Sequence, residues 1–194
     1  MIDKMKKEIL IIVCLLFLFF NCGSSNNNYS FNPGINKTDE FFNEGFESFD
    51  SILFYMKGYK EFESFYESLA NEITKRTNNP DFVSKFIIDT DMNYPLGIES
   101  FEDIDTDFDK LNFDSNKFDS VCYVLLGKER SFRENIRDQS ERKFYFTVYI
   151  LLQELNTNKI IFKNKLYVTS KSNMSTQNSA LGETIIKELQ LKEL

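Results

Sequence analysis

Two stretches in the second half of the chain alternate so strictly that little choice of secondary structure remains. Residues 143–154 are rich in aromatic and β-branched side chains, and Phe144, Phe146, Val148, Ile150 and Leu152 recur on one face. Residues 160–169 answer with Ile160, Phe162, Leu166 and Val168 on one face. The connection between them, residues 155–159, is polar, and Asn158 is suited to the left-handed backbone conformation that closes a short loop. These features predict an antiparallel hairpin. Just upstream, residues 121–127 form a near-continuous apolar run, the pattern of a central strand buried on both sides.

The rest of the chain reads less sharply. Phe42, Phe46, Phe49 and Leu53 recur at three to four, as do Phe62, Phe65, Tyr66, Leu69 and Ile73 after Gly58. Residues 39–76 are therefore expected to form two helices, or one broken near Gly58. Asn78, Asn79 and Pro80 stop the pattern, and residues 82–89 are a strand candidate. Ser100 with Asp103 resembles a capping box, and Phe101, Ile104, Phe108 and Leu111 predict a short acidic helix over 101–111. A closing helix is expected over 177–191, with Leu181, Ile185, Ile186 and Leu189 facing inward.

With 194 residues, 42% apolar and 27% charged, the chain can build one ordinary core. It contains no His and no Trp. The missing imidazole removes Ser/His/Asp and Cys/His triads, HExxH zinc sites and the commonest proton shuttle. The net charge of −7 disfavours nucleic acid, whose phosphates want a basic field. Carboxylates are plentiful, yet no spacing singles out a glycosidase-like pair, so the chain is expected not to be an enzyme. Asp103, Asp105, Asp107 and Asp109 alternate in a way that invites calcium. An EF-hand loop starting at Asp103 needs Gly at its sixth position and Glu at its twelfth, where this chain has Phe108 and Asp114. A solvated acidic face is the reading adopted, and no metal or cofactor is expected.

The amino terminus carries an address. Lys4, Lys6 and Lys7 precede twelve apolar residues, 9–20, and then come Asn21 and Cys22. Twelve helical residues span about 18 Å, short of the roughly 30 Å membrane core, so this is a signal-peptide core and not a membrane span. The site resembles a bacterial lipoprotein signal, in which Cys22 becomes the lipidated first residue of the mature chain. The alternative is an ordinary cleaved signal with Cys22 free or buried. Residues 23–38, polar and rich in Asn and Ser, read as a flexible tether with a reach of at most about 55 Å. The expected organisation is signal peptide 1–21, lipidated Cys22 and tether 22–38, and one globular domain 39–194. Once Cys14 leaves with the leader and Cys22 takes the lipid, Cys122 alone remains, in an apolar run that suits a small buried hydrophobe.

The segments 123–127, 144–155 and 156–162, together with Lys171, resemble the LpoB family of lipoprotein activators of penicillin-binding proteins. Where that family typically has Thr-Gly, a hydrophobic pair and a Trp, this chain has Thr157, Asn158, Ile160, Ile161 and Phe162. The resemblance implies an α/β (α+β) fold with an antiparallel sheet of about four strands flanked by helices. Its shape would be that of the TolB amino-terminal domain and the curli-secretion lipoproteins. It further implies a non-enzymatic lipoprotein of the outer membrane, facing the periplasm, that binds and stimulates a peptidoglycan synthase. The alternative is a lipid-anchored envelope protein with another binding or structural role, in secretion, at the flagellum or at the cell surface. Four of the five arginines, Arg130, Arg133, Arg137 and Arg142, cluster between two expected strands. Their planar donor forks suit a partner-contact loop. The alternative there is a solvated loop tied by pairs such as Glu134 with Arg137 or Asp138 with Arg142.

Overall fold

A computed structural model describes residues 34–42, 49–77, 82–106, 117–128, 130–136 and 139–189. Its centre is set by the two most apolar runs of the described chain. β2 (Ser51–Tyr59) and β4 (Ser120–Leu126) lie side by side and parallel, with Ile52–Met56 and Val121–Leu126 buried on both faces. Outside them, β3 (Val83–Asp91) pairs parallel to β2, and β6 (Gln139–Glu154) pairs antiparallel to β4. β7 (Lys159–Lys171) continues antiparallel beside β6, and β1 (Gly34–Phe42) pairs antiparallel to β7. The sheet therefore runs β1-β7-β6-β4-β2-β3. A seventh strand, β5 (Arg130–Ile136), pairs with the first half of β6, on the edge that β4 occupies further along.

The expected four-stranded antiparallel sheet is thus corrected to six strands in mixed sense, with β5 added. The cause lies in residues 39–59, expected as helix. Ile52, Leu53, Phe54, Tyr55 and Met56 form a continuous apolar run, which a helix can bury on only one side but a central strand buries on both. The spacing of Phe49 and Leu53 fits a helix by coincidence. Only the second half of the stretch is helical, as α1 (Glu63–Arg76). The segment expected as tether is also partly strand, since Gly34 to Lys37 pair with Thr169 to Leu166 of β7. β1 thus begins at Gly34, ahead of residue 39.

The hairpin and the closing helix stand as expected. The hairpin joining β6 to β7 turns through residues 155–158, and Asn158 has φ 57°. The closing helix is α2 (Asn178–Glu188), preceded by a 3-10 turn, Met174–Gln177, and Leu181, Ile185, Ile186 and Leu189 are buried. The helix expected over 101–111 reduces, within the described residues, to a 3-10 turn, Phe101–Asp103. Asp103 still performs the capping half of its role, its carboxylate accepting from the backbone N–H of Ser100 at 2.9 Å and of Glu99 at 2.8 Å.

The two sheet faces are covered differently. α1 and α2 pack over one face, where Phe65, Leu69 and Ile73 join Leu181, Ile185 and Ile186 above Phe54, Val124, Ile150 and Leu166. The other face is covered by Ile98, Ile104 and Phe118 from the connection between β3 and β4, over Leu53, Tyr55, Val121, Tyr123 and Leu151. Tyr66 locks the helices to the centre, because its hydroxyl donates to Lys57 O at 2.9 Å and accepts from Leu126 N–H at 3.1 Å. That reach requires Gly58, since a Cβ there would lie 2.7 Å from the Tyr66 oxygen. At the opposite end Ser51 and Asp119 clamp the starts of β2 and β4, with Ser51 Oγ donating to the Asp119 carboxylate at 2.7 Å.

Candidate binding surface

Among the described residues, the connection between β3 and β4 buries Tyr149 and Leu151 of β6, while further along the same face Tyr145 and Tyr167 remain exposed. Along this stretch β6 and β7 place five pairs opposite one another: Lys143 with Lys171, Tyr145 with Thr169, Thr147 with Tyr167, Tyr149 with Lys165, and Leu151 with Lys163. Strand alternation turns all ten away from the helix-covered face, where Phe144, Phe146, Val148, Leu166 and Val168 are buried. Tyr145 and Tyr167 remain 38% and 44% exposed. They line a cleft of about 560 Å³ with Thr147, Thr169, Glu99 and Lys128.

One wall of the cleft is fixed by backbone. Ile98 N–H donates to Leu126 O at 3.0 Å and Lys128 N–H donates to Ile98 O at 3.2 Å, a short parallel bridge beyond the end of β4. This approach needs small residues: a Cβ on Gly127 would lie 1.9 Å from Thr147 Oγ1, and one on Gly97 would lie 2.5 Å from the Gly127 carbonyl carbon. Tyr149 then ties the wall to the floor, its hydroxyl donating to Glu99 O at 2.5 Å while its ring meets Phe101 edge to face at 5.1 Å. Lys128 and Glu99 form an ion pair at the rim.

The floor is electrostatically ordered. Lys165 Nζ lies 5.1 Å from the Tyr149 ring centre and 5.5 Å from that of Tyr167, and Lys163 Nζ lies 5.5 Å from that of Phe101. The Tyr149 hydroxyl beside Lys165 raises its pKa above the usual lysine range, so the cation is kept. Such a surface offers flat ring faces, hydroxyls and held cations, which suits binding.

The residues singled out from sequence are placed as follows. Cys22 and Arg137 lie outside the described residues. Arg130 and Arg133 fall on β5 and Arg142 on β6, so their segment is a second hairpin in place of the expected loop. The register brings Arg133 opposite Arg142 and Arg130 opposite Tyr145. Cys122 is buried in β4, where desolvation pushes its thiol well above the usual range. Asp103 serves as a cap, its carboxyl held below the usual range first by the Glu99 N–H and then by that of Ser100. Asp105 is exposed, and Asp107 and Asp109 lie outside the described residues. Sequence reasoning passed over Tyr145, Thr147, Tyr167 and Thr169. Their signal was there, because alternation assigns them to the face opposite the apolar one, and that face carries Tyr and Thr in place of Phe and Val.

No helix among the described residues is long and apolar enough to cross a membrane. No protein-family model matches the chain. No curated protein matches it in sequence. Among solved structures, it is similar to two crystal forms of the PelC dodecamer from Paraburkholderia phytofirmans. One is 12% identical with a TM-score of 0.46. The other is 11% identical with a TM-score of 0.49. Each likeness covers 83% of this chain and 100% of the other. It is also similar to lipoprotein GNA1162 from Neisseria meningitidis, at 10% identity and a TM-score of 0.40, over 73% of this chain and 99% of that one.

Proposed function

We infer that this chain is a lipid-anchored protein of the cell envelope that acts by binding, as an accessory or structural component, and not by catalysis. The observation that carries the reading is the leader: Lys4, Lys6 and Lys7, the apolar run 9–20, Cys22 and the Asn- and Ser-rich residues that follow. In this reading residues 1–21 are removed, Cys22 takes the lipid, and the folded unit hangs on a short link ahead of β1, at the periplasmic side of the outer membrane. The tyrosine-lined cleft supports a binding role, since it joins a rigid wall to half-exposed rings.

The experiment is metabolic labelling with radioactive palmitate, followed by membrane fractionation. Label in the wild-type chain that disappears in Cys22→Ser is the expected result. An unlabelled wild-type chain recovered in the soluble fraction overturns the anchor. A second reading, activation of a peptidoglycan synthase, is favoured by one observation, the likeness of the β6–β7 hairpin and its preceding strand to the LpoB pattern. It expects the full chain to capture penicillin-binding proteins from detergent extracts and to raise their glycan polymerisation. Capture that survives replacement of Arg130, Arg133, Arg137 and Arg142 by Ala rules that cluster out as the contact.

A further inference from the structure

The two outer strands of the sheet differ. β1 is interrupted by a register shift between Lys37 and Asp39, a device that spoils an edge for further pairing. β3 has no such break: Val83–Asp91 pairs with Ser51–Tyr59 residue for residue, contains no proline, and among the described residues has no strand on its other side. The groups left open there follow from parity. Val83 N–H donates to Asp50 O at 2.8 Å, so the odd-numbered residues of β3 aim their backbone groups at β2. Ser84, Phe86, Ile88 and Thr90 therefore aim N–H and C=O outward. Phe86, Ile87 and Ile88 are half-buried in the middle of this edge, Phe86 and Ile88 against the helix-side core and Ile87 against the other. After Asp91 the connection turns back across β2, away from the edge: Tyr94 N–H donates to Asp91 O at 3.2 Å and the Tyr94 ring meets Lys57.

We propose that β3 pairs antiparallel with β3 of a second copy of this chain, the two-fold axis passing at Ile87. The strand is its own complement in one register. With Ile87 opposite Ile87, every residue of Val83–Asp91 has a partner, Phe86 meets Ile88 on the helix side and Ser84 meets Thr90. No like charges stand opposite one another, since Lys85 falls across from Asp89 and Val83 from Asp91. The backbone parity agrees with this register. The outward-aimed residues, Ser84 with Thr90 and Phe86 with Ile88, exchange hydrogen bonds, and Ile87 becomes a non-hydrogen-bonded pair with Cα atoms about 4.5 Å apart. A slip in either direction leaves the strand ends without partners. The result is one continuous sheet through both copies, and because the contact is isologous it closes at the dimer. The pairing goes beyond the envelope reading and does not depend on it.

The test uses the full chain in detergent. Under mild oxidation Ile87→Cys is expected to form a covalent dimer at least about tenfold faster than Val83→Cys, because the axis brings the two copies of residue 87 within disulfide reach and holds the two copies of residue 83 about 27 Å apart. Random collision predicts the reverse order, since Val83 is 54% exposed and Ile87 half-buried. The wild type, with Cys122 buried, sets the background rate. Ser84→Pro removes an outward N–H and leaves the β2–β3 ladder intact. Sedimentation at rising concentration is expected to show a monomer–dimer equilibrium for the wild type and one about tenfold weaker for Ser84→Pro, whose circular dichroism stays that of the wild type. A wild type that remains monomeric throughout, equal cross-linking at residues 83 and 87, or a Ser84→Pro dimer as tight as the wild type's overturns the pairing.

Discussion

The β2–β4 centre and the β6–β7 side share one sheet, yet their second faces meet opposite fates. At the centre, positions of both parities are apolar, and the connection carrying Ile98, Ile104 and Phe118 closes over Leu53, Tyr55 and Tyr123. On the β6–β7 side the helix-facing positions are apolar, and the others carry Tyr, Thr and Lys apart from Leu151, which is buried with the centre. The difference teaches that one alternating pattern can serve two ends. A face is sealed where side chains give water nothing, and stays open where they hold cations and hydroxyls that would be costly to bury.

The sharpest way to break this contrast is to truncate a ring on each side. Phe54 is fully buried and stacks on Phe86 at 4.9 Å, so Phe54→Ala is expected to cost about 3–5 kcal/mol in chemical denaturation. Tyr167→Ala, on the open face, is expected to change stability by about 0.5 kcal/mol. Equal losses would show that the open face is part of the core. Next in size comes the seam between the two regions. Gly127→Ala forces a methyl against Thr147 Oγ1 and the Tyr149 ring, with an expected cost of about 1–3 kcal/mol, read from the same denaturation curves. A Gly127→Ala protein as stable as the wild type would mean that the cleft wall is pliant.

The smallest effect lies on α1, away from both regions. Glu72 is held down to about 2 by its hydrogen bond from Lys75 and then that from Arg76. A carboxyl depressed in the folded state contributes stability above its unfolded value of 4.5 and loses it as pH falls toward 2. Thermal melting is therefore expected to separate the wild type from Glu72→Gln by a small margin at neutral pH, and the margin should close between about pH 4.5 and 2. A margin that persisted at pH 2 would remove the ionised carboxylate as its source.

Much of the carboxyl half was legible in the sequence. Strand alternation set the faces of β6 and β7 except at Ile160, which a register shift beside Gln153 turns against the other core, while the polar link with Asn158 set their turn and the uninterrupted run 121–127 announced a central strand. The same reading failed over 39–59, where Phe42, Phe46, Phe49 and Leu53 imitate helical spacing and only neighbouring strands make Ile52–Met56 a strand. Of the binding surface, the alternation already separated Tyr145, Thr147 and Tyr149 from the apolar face. It could not show that their face would be left open.

The sequence by itself determined the exclusion of imidazole chemistry and the hairpin, because each rests on residue identity or on a period within one stretch of chain. Only the tertiary structure decided the mixed sense of the sheet, the insertion of β2 beside β4, and the meeting of Tyr145 with Thr169 and Thr147 with Tyr167 beside a wall built from residues 97–99. Those are contacts between segments far apart in the chain. Their register follows from where the helices and the connection over 92–106 find apolar surface to cover, which no local pattern records.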